Sequence, residues 1–422
     1  DGFTIIQDAS AKEGGIFFKK AGIGGHFLNG TVTDNVNDGA GTIHTTELND
    51  VDTANTSFEF VTLTGTSIDP RFTGNDADNV EAVFNAGIGN SSDGPKPQST
   101  LAGDITTNMT LTSDTDWIID GLVAVKNGAV LTIEAGTTLA GKEGTGSATS
   151  YLVVDKGSQI IADGTALEPI VFTSETALNG AASAVGQWGG LTIIGNAANS
   201  QVQPYEVNSA FVAGDTDLAD NSGILRHVKI LNSGITMAQD KEINGLSLVG
   251  VGSGTTIEDI TVVKSDDDCI EIWGGTVDLT NVTVRECTDD QFDIDDGYEG
   301  TVRNLDIHQT ATNAGNAGIE MSGITAATFD GFTIIQDASA KEGGIFFKNA
   351  GIGGHFLNGT VTDNINNSAG AIHTTLDGDT DIANTSFNFV TVDGSSTDAR
   401  FTGGDALNVE DKFNLGTGNT KN

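Results

Sequence analysis

The stretch IEDITVV at Ile257–Val263 sets a pattern of apolar positions that returns as LTNVTVR at Leu279–Arg285 and as VRNLDIH at Val302–His308. The three stretches begin at offsets of 22 and 23 residues, which is too long for a meander of hairpins. The series continues as FDGFTII (Phe329–Ile335), FLNGTVT (Phe356–Thr362) and TSFNFVT (Thr385–Thr391). A second short strand pattern follows in each unit: CIEIW, QFDID, GIEMS, GIFFK and AIHTT.

Aligning these units places chemically similar residues in columns. One column is apolar and contains Ile270, Phe292, Ile319, Ile345 and Ile372; another lies at a turn and contains Asp259, Asn281, Asn304 and Asn358. Because side chains alternate along a strand, the apolar column faces inward. Units that are too small to bury their own apolar face are typical of solenoids. We therefore predict an all-β fold, a parallel β-helix of roughly 20–28 residues per coil with little helix. No six-residue period supports a left-handed hexapeptide helix.

The beginning of the chain is copied at its end. Asp1–Asn35 aligns with Asp330–Asn364, with one difference, Lys20 against Asn349, and the alignment stays roughly three-quarters identical to the end at an offset of 329. We interpret 1–90 as the last coils of a preceding repeat and 101–422 as one full repeat, in which 330–422 duplicates 1–93. The segment 91–100 contains two prolines, which cannot join an internal ladder, and is predicted to be the seam. We expect the chain to open at Asp1 directly on a core coil, with no capping helix, and the coils to continue as one rod.

The composition excludes several partners. The formal net charge is −39, and the chain has 56 glycines and only 5 prolines. Nothing in such a chain neutralises phosphates, so we predict no binding to nucleic acid and no insertion into membranes. The absence of a signal sequence or apolar span carries no weight for a chain that starts within a repeat.

Several of these stretches carry a family resemblance. QWGGLTIIGNA, DNSGILRHVKI and the run from Asn244 to Val284 resemble a group of secreted bacterial surface proteins with the right-handed β-helix of the pectate-lyase-like fold. The likeness covers roughly Leu101–Phe413 and, through the duplication, Asp1–Phe84. It implies the right-handed fold and an extracellular location. It implies little about activity, since one fold serves many functions. Cys269 stands where the group usually has glycine.

Two acidic turns, 266–268 and 289–290, followed by Asp293, Asp295 and Asp296, are the best candidate site. The 22-residue register stacks Asp267 on Asp289 and Asp268 on Asp290. Two carboxylates about 5 Å apart repel by about 3 kcal/mol at an effective dielectric constant of 20. Ca²⁺ relieves such repulsion and prefers oxygen ligands, so these four residues are predicted to form a structural Ca²⁺ site. The alternative is an acidic turn that water, Lys264 and Arg285 solvate.

A catalytic interpretation is weaker. SDDDCIEIWGG resembles the Asp-Asp-Cys segment of polygalacturonases, in which paired carboxylates cleave glycosidic bonds. However, the third Asp of that family is missing near 245–248, and Asp289 and Asp290 replace its Gly-His-Gly. We therefore predict no catalytic residues and no enzymatic activity.

The other reactive side chains are predicted to have structural roles. Cys269 and Cys287 are 18 residues apart, less than one coil, and the register places Cys269 over Gln291 and Cys287 over Ser265. Their β-carbons need not be adjacent, so free thiols are predicted. The six histidines do not converge, and His373 is expected outside the ladder below Phe346. The phenylalanines at 17, 18, 346, 347, 387 and 389 are predicted to stack in the core. The segments 177–185 and 198–222 are expected to be loops extruded from the stack.

These observations favour an extracellular structural protein whose β-helical repeats join end to end with identical repeats or subunits in a filament, sheath or surface layer. The first alternative is an adhesin or stalk that binds glycans or surfaces through its loops. The second alternative is a polysaccharide lyase or hydrolase.

Overall fold

The fold is taken from a computed structural model of the chain. It describes residues 2–7, 14–19, 22–35, 40–46, 51–64, 71–86, 91–92, 96–179, 181–197, 205, 207–214, 216–238, 241–310, 315–323, 325–337, 342–349, 351–376, 378 and 380–422. The chain divides into two compact units, Asp1–Pro97 and Gln98–Asn422. Parts of the predicted seam (93–95) and of the second predicted loop (198–204, 206 and 215) lie outside the described residues.

The first unit contains short parallel strands and one helix. Its elements are β1 (Thr4–Gln7), β2 (Ile16–Phe18), β3 (His26–Asp34), β4 (Ile43–Thr45), β5 (Ser57–Thr64), β6 (Phe72–Gly74), α1 (Ala77–Ala86) and β7 (Ser91–Ser92). They form a four-stranded sheet in the order β1-β3-β5-β7 and a three-stranded sheet in the order β2-β4-β6. Strands of one sheet alternate along the chain with strands of the other, as the coils of a β-helix require.

The second unit is a longer stack of the same kind. Its elements up to the insertion are β8 (Gln98–Ile105), β9 (Met109–Leu111), β10 (Asp116–Val125), β11 (Val130–Ile133), β12 (Thr138–Gly141), a 3₁₀ turn (Gly146–Ala148), β13 (Tyr151–Val154), β14 (Gln159–Asp163), β15 (Ile170–Ser174), α2 (Glu175–Leu178) and β16 (Leu191–Ile194). The middle coils contain β17 (Gly223–Leu231), β18 (Ile235–Ala238), β19 (Lys241–Ile243), β20 (Leu246–Val249), β21 (Thr256–Val263), β22 (Ile270–Trp273), β23 (Leu279–Arg285), β24 (Phe292–Asp295), β25 (Thr301–Gln309) and β26 (Ile319–Met321). The last coils contain β27 (Ala326–Gln336), β28 (Ile345–Phe347), β29 (Ile352–Asp363), β30 (Ile372–Thr374), β31 (Thr380–Asn388), β32 (Thr391–Asp393), β33 (Phe401–Gly403), α3 (Ala406–Leu415) and β34 (Thr420–Lys421).

The strand register confirms the prediction of a parallel β-helix. In the second unit 25 strands join in one sheet, and strand pairs from coil to coil are parallel. The aligned apolar column is present: Ile270 pairs with Phe292, then come Ile319, Ile345 and Ile372. The coil from Ile257 to Leu279 has the predicted 22 residues, whereas the coils from Leu225 to Ile257 and from Phe356 to Phe387 have 32 and 31, beyond the predicted range. The longer coils accommodate extra turn residues outside the ladder.

The turn column is also present, and it explains one wrong prediction. Asp259, Asn281, Asn304 and Asn358 all have a positive φ, the left-handed backbone that asparagine and aspartate tolerate. Their side chains form a ladder, with the Asn281 and Asn304 amides each donating over 2.9 Å to the residue one coil earlier. In the last coil Phe389 occupies this position with φ 57°. Its ring therefore points outward and is 57% exposed, so the prediction that it belongs to the core is wrong.

A helix covers the core near the end of the stack in both copies, and the strand that follows it, β7 or β34, still pairs with the coil below. This helix was not predicted from the sequence. Val409 and Phe413 of α3 are buried, and the Phe413 ring lies 5.7 Å from Phe387 and 5.3 Å from Phe401, both core residues of the last coils. In α1, Val80 and Phe84 make the same contacts with Phe58 and Phe72. Since these partners face the interior, each helix covers the end of a core. The expectation of an open end concerned Asp1, which lies outside the described residues and at the other end of the copy.

The acid before each helix fixes it to the coil below. Asp405 accepts a hydrogen bond from the Thr380 amide, and its own amide donates to Thr374 over 2.9 Å. Asp76 makes the equivalent bonds with the amide of Val51 and the hydroxyl of Thr45. The copies therefore share register, capping helix and hydrogen bonds at the offset of 329 residues.

The second insertion is packed rather than extruded. Tyr205, Phe211 and Ala213 are buried against the outer face of the stack, in a cluster with Tyr151 and Val249. The expectation of an extruded loop is wrong for these residues, because their apolar side chains cover a sheet face that is itself apolar. Within the described residues no helix is long and apolar enough to cross a membrane.

Candidate functional site

The two acidic turns stack as their spacing predicts. Each turn leads from a long strand to a short one: 264–269 joins β21 to β22, and 286–291 joins β23 to β24. The Asp290 amide donates to Asp268 Oδ1 over 2.8 Å, which fixes one aspartate above the other. Asp267, Asp268 and Asp289 each present an oxygen within 4.8 Å of the others. Asp268 and Asp290 are buried, whereas Asp267 is half-buried.

A second acidic column extends this cluster. Of its members only Asp293 was named from the sequence, beside the four predicted ligands. Glu271, Asp293 and Glu320 are paired residues of β22, β24 and β26 and lie one above another. Asp293 belongs to the same carboxylate group as Asp268 and Asp290, with oxygens within 4.8 Å. Glu320 is only 2% exposed and pairs with the Lys348 ammonium at 2.5 Å. The site therefore spans three coils rather than two.

Burial dominates the electrostatics of the site. It raises the pKa of Asp268, Asp290 and Asp293 well above the usual range, and the charges of neighbouring carboxylates raise it further. For Lys348, burial lowers the pKa, but the hydrogen bond and charge of Glu320 outweigh it, so the net pKa is raised. The charged groups that act on the three aspartates are Asp267, Glu271, Asp289, Asp295, Glu320 and Lys348. Among these only Lys348 is a cation.

A disulfide joins the two acidic turns. Cys269 and Cys287 are bonded, with Cα atoms 5.5 Å apart, so the prediction of free thiols is wrong. The register was predicted correctly: Cys287 lies below Ser265, whose amide approaches its sulfur at 3.3 Å. The register relates residues only along the stack, and the two cysteines are neighbours across it. Cys269 leaves one turn while Cys287 enters the next, and both side chains point into the narrow interior between the two arms of the coil, where they meet.

The remaining predicted positions are dispersed. His373 lies outside the ladder as predicted and stacks on Phe346, with centroids 5.3 Å apart. His308 contacts Asp337 at 2.7 Å and His227 contacts Asp259 at 3.5 Å, on other coils. Asp295 and Asp296 lie at the far end of β24. No histidine of the described residues belongs to a carboxylate group of the site.

A shallow polar groove lies on another face of the second unit. It has a volume of about 390 Å³ and follows the asparagine ladder on one side and the loop after β14 on the other. Lys229, Thr261 and Thr283 line it, together with His227 and Asn281. The spacing between these rows is that of adjacent strands, about 4.8 Å. The groove therefore presents hydroxyl, amide and ammonium groups at regular intervals.

This geometry defines a parallel β-helix protein. A family model described as "Pectate-lyase like beta helix domain" matches residues 103–422, most of the chain, and the chain belongs to that family. Comparisons with the curated proteins and with the solved structures give no match. The resemblance found in the sequence is thereby confirmed at the level of fold and family.

Replacing Lys348 tests the ion pair at the end of the acidic column. Lys348→Met leaves Glu320 buried without its counter-charge, and we expect a loss of about 2 kcal/mol at pH 7, because the exposed half of the lysine moderates the effect of a fully buried pair. Urea unfolding measures this loss. Lys142→Met is the matched control, since its pair with Asp120 is exposed on both sides and its loss should leave the urea midpoint almost unchanged. Equal effects of the two substitutions would contradict the assignment.

Asp296 gives a pH prediction. Burial, followed by the charge of Asp295, raises the pKa of Asp296 to about 6, above the 3.8 of the unfolded chain. The folded state therefore binds this proton more tightly, and ionisation of Asp296 destabilises the fold as pH rises from about 4 to above 6. Asp296→Asn should be more stable than the original chain at pH 7 by about 1 kcal/mol, after allowance for solvent screening. Unfolding at pH 4 and pH 7 tests this; a gain that persists at pH 4 would contradict it.

Proposed function

We propose that this chain is part of an extracellular structural protein in which capped β-helix modules follow one another along the polypeptide and associate end to end. The observation that carries the proposal is the duplicated stretch. Residues 330–422 repeat 1–93 in sequence, and the described strands and terminal helix of one copy match those of the other. Stability in such arrays comes from contacts between neighbouring coils, so a further module can be added without changing the core of the others.

Two further observations support an extracellular location. The buried disulfide is typical of proteins that fold in an oxidising compartment. The net charge of −39 favours solubility in a saline medium and repels nucleic acid and acidic lipid surfaces. The terminal helices change how the modules are proposed to join. Each helix covers the end of a core, but the strand after it continues one arm of the stack, since β34 pairs with β32 and β7 pairs with β5. The proposed connection between modules therefore combines the surface of the helix with the edge of that last strand.

Electron microscopy of the parent protein in its native material tests this function. We expect fibres, sheaths or layers built from β-helical modules. A short, monodisperse, monomeric particle at native length would contradict the proposal. The enzymatic alternative has its own test, because uronic-acid release from a polysaccharide that is lost in Asp267→Ala would replace the structural role with a catalytic one.

The polar groove supports a second candidate function, glycan binding by an adhesin or stalk. Its regularly spaced hydroxyl and amide groups suit the repeating hydroxyls of an extended glycan, and Lys229 adds a cationic donor. Titration with neutral linear hexasaccharides, monitored by calorimetry, tests this role. Binding should weaken in Lys229→Ala and Thr261→Val. Thr333→Val is the matched control, since Thr333 lies further along the same sheet and outside the groove. Equal binding by all variants would contradict a site in the groove.

A further inference from the structure

We propose that Asp268, Asp290 and Asp293 bind a Ca²⁺ ion that joins two consecutive coils of the second unit. This site differs from the set predicted from sequence, because its centre includes Asp293 and lies deeper than Asp267 and Asp289. The three carboxylates each offer an oxygen within 4.8 Å of the other two, a spacing that one ion with Ca–O distances of 2.3–2.6 Å spans.

Backbone amides orient two of these carboxylates. Asp268 Oδ1 accepts a hydrogen bond from the Asp290 amide, and Asp290 Oδ1 accepts one from the Ala317 amide. Each of the two carboxylates is thereby held in place by a backbone hydrogen bond to one of its oxygens. The two donors come from successive turns, so the orientation follows from the β-helix register rather than from flexible side chains.

Asp293 supplies the observation that points to a ligand. Its side chain is only 8% exposed, and among the described residues its Oδ1 has no hydrogen-bond partner. A buried carboxylate oxygen without a partner keeps the full penalty of its desolvation and so destabilises the fold. The Asp293 carboxylate also offers an oxygen to the group formed with Asp268 and Asp290, where a cation would satisfy all three residues at once. Lys348 does not do so, since its ammonium is paired with Glu320.

The ligand chemistry favours Ca²⁺ over other ions. All candidate ligands are oxygens, and the nearby cysteine sulfurs are bonded to each other, so the soft ligands that Zn²⁺ prefers are missing from the group. Ca²⁺ tolerates irregular geometry and fills its six to eight positions with water, whereas Mg²⁺ requires a near-ideal octahedron at shorter distances. Two further carboxylate trios share members with this one: Asp267, Asp268 and Asp289 on one side, and Asp290, Glu320 and Glu342 on the other. Through Asp268 and Asp290 the ion would also reduce the repulsion within these two trios.

Calcium titration of the full chain, after treatment with EDTA, tests the site. We expect saturable binding by calorimetry, an unfolding midpoint that rises with Ca²⁺, and a smaller rise with Mg²⁺. Asp293→Asn keeps the side-chain shape and should weaken Ca²⁺ affinity by about tenfold or more, because it removes a charged ligand. Asp104→Asn, at an exposed ion pair with Lys126, is the matched control and should bind like the original chain.

Failure of the original chain to bind Ca²⁺ saturably at millimolar concentration would overturn the proposal. Equal affinity of Asp293→Asn and Asp104→Asn for Ca²⁺ would also overturn it. Circular dichroism checks that Asp293→Asn folds; if it does not, Asp268→Asn provides the same comparison. The inference does not depend on the proposed structural function, so its failure would leave the repeat array intact.

Discussion

Truncating the Phe413 ring should cost about 3 to 5 kcal/mol of folding free energy in the second unit. The side chain is 2% exposed and packs between Phe387 and Phe401 at the end of the core. Phe413→Ala removes the ring, and the helix cannot collapse onto two strands that are already fixed by their ladders. We expect the loss to appear as a lower urea midpoint for the second unit, with exposure of the last coils.

The same helix provides the control. Leu415 lies two residues away and is 82% exposed, so Leu415→Ala should change stability by less than about 0.5 kcal/mol. The first copy provides a second comparison, because Phe84 contacts Phe58 and Phe72 as Phe413 contacts its partners. Phe84→Ala should destabilise the first unit by a similar amount. If Phe413→Ala behaves like Leu415→Ala, the helix does not close the core.

Loss of the disulfide should destabilise the second unit by about 3 kcal/mol, the value expected for a closed loop of this size. Cys269 and Cys287 are separated by 18 residues and tie the two acidic turns together. The double variant Cys269→Ala/Cys287→Ala removes the bond without leaving a buried hydroxyl group. Its urea midpoint, compared with that of the oxidised chain, measures the effect.

Reduction of the original chain gives the complementary measurement. Both sulfurs are fully buried, so a reductant should act slowly on the folded chain and rapidly once the turns open. The reductant should lower the midpoint of the original chain and leave that of the double variant unchanged. An unchanged midpoint after complete reduction would show that the bond adds nothing to stability.

Much of the fold could be predicted because each coil repeats the same physical pattern. The inward column from Ile270 to Ile372 and the left-handed turn residues recur from coil to coil. An ambiguous residue in one coil is therefore outweighed by the same position in the other coils. The terminal helices occur once per period, so no repetition from coil to coil indicates them. The one indication in the sequence is the pair Val409 and Phe413, four residues apart, after Asp405. That spacing indicates one face of a helix, but it covers a single turn and is easily mistaken for a strand end.

The candidate site was predicted only in part for a related reason. The 22-residue offset correctly stacked Asp268 on Asp290, because that is a relation along the stack. Asp293 and Glu320 hold the same position in FDID and IEM, so the alignment already contained the second acidic column. The disulfide was not predicted because it runs across the interior of the coil. The alignment of the coils shows which residues are neighbours along the stack, but it does not give the distance between the two arms of one coil. Predicting a contact between the arms requires the geometry of the turn.

Amide hydrogen exchange of the whole chain, read by mass spectrometry, tests most directly whether both copies form the same capped β-helix end. The account predicts slow exchange in Ser57–Thr64 and Ala77–Ala86 of the first copy and in the equivalent 386–393 and Ala406–Leu415 of the second. Protection in both strands and both helices would support the repeated, helix-capped module. Exchange of the first copy at the rate of an unfolded chain would contradict it.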